Sequence, residues 1–152
     1  MGSEAGTIMA GQDWDWTELY LDRPLNTAEV GAAIASALRL EVHEVQAVTD
    51  IDRVNLVTRP RLVARLTPML GEFPLRVEFF RHDHARLSNL NGRAVVQAFL
   101  AATQAWSLVD GGGAVAPQGF ILAGPGGEAR PVSLDAEAMD ADPPVLRLAH
   151  RL

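Results

Sequence analysis

Residues 61–82 read "RLVARLTPMLGEFPLRVEFFRH", and this stretch decides the fold. In its first half Arg61, Val63 and Arg65 alternate with Leu62, Ala64 and Leu66. In its second half Val77 and Phe79 recur at the same interval. A period of two belongs to a strand with one face in the core and the other in water. The break between the halves, "PMLGEFP", holds a glycine and two prolines, which end strands and open turns. The pattern predicts a long β-hairpin over 61–82, with arginines on or near its wet face.

Working outward toward the N-terminus, "DWDWTELYLD" (13–22) places Trp14 with Trp16, and Leu19 with Leu21, on shared faces. That predicts a strand at 17–22. "PLNTAEVGAAIASALRL" (24–40) predicts a helix. Asn26 is its N-cap and Glu29 completes a capping box. Val30, Ala33, Ile34, Ala37 and Leu38 form one apolar stripe at helical spacing. "EVQAVTD" (44–50) reads as a further strand. Beyond the hairpin, "NLNGRAVVQAFLAATQAWSLVD" (89–110) predicts a second helix. Asn91 is its cap, and Val95, Phe99, Ala102 and Trp106 lie on one face. "GFILAGPGGEARPVSL" (119–134) predicts two short strands around Gly124, Pro125, Gly126 and Gly127. The last stretch is acidic and breaks at Pro143 and Pro144, with a short helix over 134–140.

The predicted order is β-α-β-β-β-α-β-β. It implies an α+β fold with a mainly antiparallel sheet and two helices on one face. A ferredoxin-like or related sandwich with an extended β-hairpin fits this order. Residues 1–12 form a disordered N-terminal segment, 13–134 a single α+β domain, and 135–152 an acidic C-terminal tail packed on the domain.

Composition narrows the function classes. The chain has 152 residues and no cysteine, so disulfides, thiolate metal sites and cysteine nucleophiles are excluded. No stretch approaches the ~18 apolar residues of a membrane span. The N-terminus lacks the pattern of a secretory signal, so the expected location is the cytoplasm. All thirteen basic residues are arginine, which reads as codon bias in a GC-rich bacterial genome. Residues 51–93 hold eight arginines and four acids, a net +4; the rest holds five arginines and fifteen acids, a net −10. Either the two parts neutralise each other in the fold or the basic part faces a partner.

Motifs for chemistry are few. In "RHDHARLSN" (81–89), His82 and His84 point to one side of an extended chain and are the weak candidates for a metal. Asp83 points away, and a further ligand such as His43 would have to cross over from elsewhere, so no metal and no cofactor are expected. The glycine runs "DGGGA" and "GPGGE" lack the strand-to-helix context and lysine of a phosphate loop. No serine sits in a nucleophile elbow. The overall acidity argues against nucleic acid.

These readings favour a small, non-catalytic bacterial protein-binding module, an inhibitor or immunity protein that blocks a toxin or enzyme. The candidate partner-binding residues are Trp14, Trp16, Asp13, Asp15, Glu18, Asp22, Arg59, Arg61 and Arg65, with Asp135, Glu137, Asp140 and Asp142 as a second acidic group. Two alternatives remain open. One is a small-ligand binder or enzyme that takes an anionic substrate on hairpin arginines with His82 or His84. The other is a homodimeric structural or scaffolding protein joined through a sheet edge. A deep pocket would favour the first alternative, and a filled core the binding module.

Overall fold

The computed structural model describes residues 14–83, 87, 90–110 and 119–149. In chain order its elements are β1 (Asp15–Leu21), α1 (Thr27–Leu38), β2 (Val45–Val48), β3 (Leu62–Pro68), β4 (Leu70–Gly71) and β5 (Leu75–Arg81). They continue as α2 (Gly92–Thr103), β6 (Ser107–Asp110), β7 (Gly119–Ala123), β8 (Ala129–Ser133), α3 (Ala136–Met139) and β9 (Val145–Leu146). Seven strands form one mixed sheet in the order β2-β3-β5-β1-β6-β7-β8, and β4 pairs separately with β9. The fold is α+β.

The hairpin is the antiparallel pair β3–β5, with Ala64 opposite Phe79 and Leu66 opposite Val77. Both predicted N-caps form. The Asn26 side chain accepts from the Glu29 amide at 2.8 Å while Glu29 accepts from the Asn26 amide at 3.0 Å. The Asn91 side chain accepts from the Ala94 amide at 3.0 Å. Each cap stabilises its helix by about 1 kcal/mol.

Two features differ from the sequence reading. The seven-stranded sheet is mainly antiparallel, but one neighbour pair makes it mixed: β2 runs parallel to β3, with Val45 opposite Leu62 and Val48 opposite Arg65. Parallel neighbours cannot be joined by a tight turn. Residues 49–61 therefore cross over, with 3-10 turns at Ile51–Arg53 and Leu56–Thr58. Second, α2 stops at Thr103. Gln104 turns left-handed at φ 57° and caps it, its backbone N–H donating a hydrogen bond of 2.7 Å to the Leu100 carbonyl. The following Ser107–Asp110 is a strand between β1 and β7, and Trp106 lies off the helix. The short helix expected over 134–140 forms as a single turn at Ala136–Met139, giving three helices among the described residues.

Period-two alternation divides the buried side chains into two clusters. Leu19 and Leu21 of β1, Leu62, Ala64 and Leu66 of β3, and Leu75, Val77 and Phe79 of β5 share one cluster with Val30 and Ile34 of α1 and Val95 and Phe99 of α2. Phe79 sits 5.8 Å from the Trp16 ring and 5.7 Å from Phe99. Fully burying a side chain such as Leu21 or Phe99 contributes about 1.5–3 kcal/mol. The intervening residues Tyr20, Leu108, Phe120 and Leu122 belong to the second cluster, with Phe73, Leu134, Met139 and Leu146. The C-terminal stretch thus packs across β6–β8. Its β9 pairs with β4 at Gly71, whose φ of 103° suits glycine and where a Cβ would lie 2.2 Å from the Leu146 carbonyl oxygen.

Candidate functional site

The crossover builds one corner of the molecule. Gln46 projects from β2 on the side of the sheet away from the α1–α2 cluster and clips the crossover down. Its Nε2 donates to the Asn55 carbonyl and to Thr58 Oγ1, both at 2.6 Å, and its Oε1 accepts from the Asn55 amide at 2.7 Å. Val63 beside it on β3 is wholly buried. The turns Val42–Glu44 and Leu56–Thr58 are thereby held on either side of a cleft of about 510 Å³, lined by His43, Thr58, Arg59, Arg61, His82 and Asp83 among others.

One guanidinium organises the cleft. Arg61 donates through Nε to Glu44 and through Nη1 to Asp83. The Glu44 hydrogen bond first, then that to Asp83, pushes the Arg61 pKa upward. Arg59 stands at the mouth with its backbone left-handed (φ 51°, ψ 62°) and Pro60 next in the chain. Among the described residues its side chain has no hydrogen bond, ion pair or ring contact. His43 and His82 are both exposed.

Leu56 also lines the cleft, and exposed aliphatic side chains recur in the 3-10 turns before and after β2. Six large hydrophobic residues are exposed among those described. Val42, Ile51, Leu56 and Val57 lie in the three 3-10 turns, and Leu70 and Phe80 lie elsewhere. Val57 is 89% exposed and Val42 66%. Glu41, Asp50 and Asp52, also exposed, are interspersed with them.

The sheet carries a second polar group across β3, β5 and β1. Arg65 donates to Glu78 at 2.6 and 2.8 Å and lies 5.6 Å over the Phe80 ring. Arg76 donates to Glu18 at 2.6 Å and to Glu78 at 3.2 Å. Burial lowers the Arg76 pKa, but the Glu18 hydrogen bond and charge, followed by Tyr20 and Glu78, outweigh it and the net shift is upward. Burial, then the negative charge of Glu18, pushes the Tyr20 phenol up to about 12, against an opposing pull from Arg76.

The predicted site residues are scattered. Trp14 and Trp16 are 2% and 4% exposed, so both rings pin β1 to the core; Arg93 stacks on the first at 4.8 Å and Arg81 on the second at 5.3 Å. Glu18 and Arg65 sit in the ion-paired group. Asp15 is exposed and accepts from Thr17. Asp22 accepts from the Trp106 amide at 2.9 Å at the opposite end of β1. Arg59, Arg61 and His82 come together in the cleft. Asp13 and His84 lie outside the described residues, as do residues 1–12 and most of the first glycine run. Among the described residues no group of three or more His, Asp or Glu is placed to hold a metal. The basic segment is partly neutralised: Arg61, Arg65 and Arg76 are ion-paired, Arg81 and Arg93 cover tryptophans, and Arg53 and Arg59 remain without side-chain partners among the described residues.

Of the second acidic group, Asp135 caps α3 and pairs with Arg147 at 3.2 Å. The backbone bond from Ala138 first, then Arg147, lowers its pKa. Glu137, Asp140 and Asp142 face water. The sequence named His43 only as a group that would have to come across to His82, and it gave no sign of Thr58 or Val57, because nothing in the chain signalled that β2 is parallel to β3. Comparison with protein-family models, curated proteins and solved structures found no match. No helix among the described residues is long and apolar enough to cross a membrane.

Proposed function

We propose that this chain is a non-catalytic protein-binding module of the inhibitor or immunity kind, whose partner docks on the corner made by Val42–Glu44, Ile51–Arg53 and Leu56–Thr58. The observation that carries this reading is that four of the six exposed large hydrophobic residues among those described lie in these turns. Large apolar side chains set among charges are the anatomy of a docking surface. The partner is a protein with an apolar centre and a rim of both charges, its acidic groups facing the exposed Arg53 and Arg59 and its basic groups predominating elsewhere. Glu41, Asp50 and Asp52 complement those basic groups, and the net charge of −6 steers the encounter. The filled core and the buried tryptophans favour this reading over a deep-pocket enzyme and move the contact away from Trp14 and Trp16. The four central strands, ordered β3-β5-β1-β6 and all antiparallel neighbours, support a ferredoxin-like core. The arginine-only basic set supports a bacterial source, and the cysteine-free chain suits the cytoplasm.

The test compares tagged wild type, a Leu56→Glu/Val57→Glu double variant and a Leu70→Glu control in host extract. The reading expects a protein held by wild type and by the control and lost by the double variant, whose circular dichroism is unchanged. Equal capture by all three, or loss only with Leu70→Glu, would overturn it.

A second copy on the open edge of β2 is the rival occupant. The other sheet edge, β8, contains Pro131, which cannot donate a ladder bond, whereas "VQAV" of β2 has no such guard. A dimer mass in sedimentation equilibrium, reverting to monomer in Val48→Pro, would favour that occupant.

A further inference from the structure

We infer that the cleft between the turns is an oxyanion-binding site, taking a carboxylate or phosphate group with Arg59 as its anchoring cation. This stands whether or not a protein docks on the exposed aliphatic residues of the turns. The cleft is an open one of about 510 Å³, large enough to admit a phosphate or carboxylate group. Its chemistry is set by which polar groups are already spent. The carboxylates of Glu44 and Asp83 are both engaged by Arg61. Thr58 Oγ1 accepts from Gln46 and donates to the Asn55 carbonyl at 2.9 Å. The groups left over in the lining are cationic or donor groups: the Arg59 guanidinium, the Arg61 N–H groups beyond the two already used, and the His43 and His82 imidazoles. Arg61 carries one charge against the two carboxylates, and Arg59 is the cation of the lining whose guanidinium N–H donors make no bond among the described residues and can meet an oxyanion.

The backbone supplies an independent observation. Arg59 holds φ 51° immediately before Pro60, a conformation that costs a residue with a Cβ and that glycine adopts freely. Arg39 and Gln104 share a positive φ, and each caps an α-helix. Arg59 caps only a three-residue turn, and its side chain joins nothing else among the described residues. The backbone conformation closes the turn, which glycine would do without strain, so the Arg59 side chain that lines the cleft is kept at a cost the turn does not require. A strained position that retains a side chain with no contact among the described residues points to binding.

The experiment titrates isotope-labelled full-length protein with inorganic phosphate, and separately with N-acetyl-aspartate amide, against sodium chloride of matched ionic strength. Saturable shifts at His43, Arg59, Arg61 and His82 with either probe are expected. Saturation by phosphate alone identifies a free phosphate or phosphomonoester as the source. Saturation by the aspartate amide identifies a carboxylate side chain presented by another molecule. In Arg59→Gly the affinity falls at least about tenfold while the melting temperature does not drop. Two results would overturn the inference: shifts no larger than with chloride for both probes, or an Arg59→Gly variant that binds as tightly as wild type.

Discussion

Tyr20 offers an unusually clean readout of the sheet's polar face. It is the only tyrosine, and the chain has no lysine and no cysteine, so it is the one side chain expected to titrate between about pH 9 and 12. It lies opposite Arg76 on one side and Leu108 on the other, with the Phe120 ring edge-on at 6.3 Å. Burial and Glu18 raise its pKa to about 12 from 10.0. Two units correspond to about 2.7 kcal/mol, and the side chain's partial exposure reduces this to about 1 kcal/mol through solvent screening. The folded state holds the phenolic proton more tightly than the unfolded chain. This stability is therefore fully present below about pH 10 and is lost as the pH rises through about 12. The assay is the ultraviolet absorbance of tyrosinate in native and urea-unfolded protein. The native midpoint should lie near 12 and the unfolded one near 10. In Glu18→Gln the native midpoint should fall yet stay above 10, because burial is the larger cause. A native midpoint near 10, with circular dichroism still that of the folded protein, would refute the reasoning.

Three further outcomes follow from particular contacts. Gly71→Ala places a Cβ against the Leu146 carbonyl oxygen and should cost about 2 kcal/mol in urea unfolding; less than about 0.5 kcal/mol would deny that β4 and β9 are paired. Gln46→Ala removes the three hydrogen bonds that clip the crossover, so limited proteolysis within 50–59 should quicken about fivefold for a local loss of about 1 kcal/mol, whereas an unchanged rate would show the clip to be dispensable. Asp135 has a lowered pKa, so its contribution to the α3 cap is complete above the ordinary 3.8 and is lost as the pH falls through its lower folded value. Amide exchange within 134–148 should accelerate on acidification more in wild type than in Asp135→Asn, and parallel profiles would contradict the cap.

The legible parts of the sequence were those carried by local periodicity and local hydrogen bonds. Alternation in 61–82 placed Leu62, Ala64 and Leu66 on one side and Arg65 on the other, and Asn26 and Asn91 announced their helices through single side-chain oxygens. β6 was hidden because "AWSLV" continues an apolar run, and because the residue that ends α2 is Gln104 rather than glycine. The direction of β2 was hidden because its pairing with β3 is decided across the crossover and not within either strand. The C-terminal stretch looked like a tail because Leu134, Ala138 and Leu146 are spaced apart among acids, yet all three are buried. The cleft draws its lining from the Val42–Glu44 turn, the crossover, the start of β3 and the end of β5. Arg59, His82 and His43 were therefore nameable from the sequence, but which of them meet was not.

The central claim is that the turns beside β2 are where this protein meets its partner. Hydrogen–deuterium exchange of the protein alone and in its purified complex tests that most directly. Slowed exchange over residues 42–58 on complex formation is the predicted result. Unchanged exchange there, with protection confined to α1 and α2 or to 134–148, would contradict it.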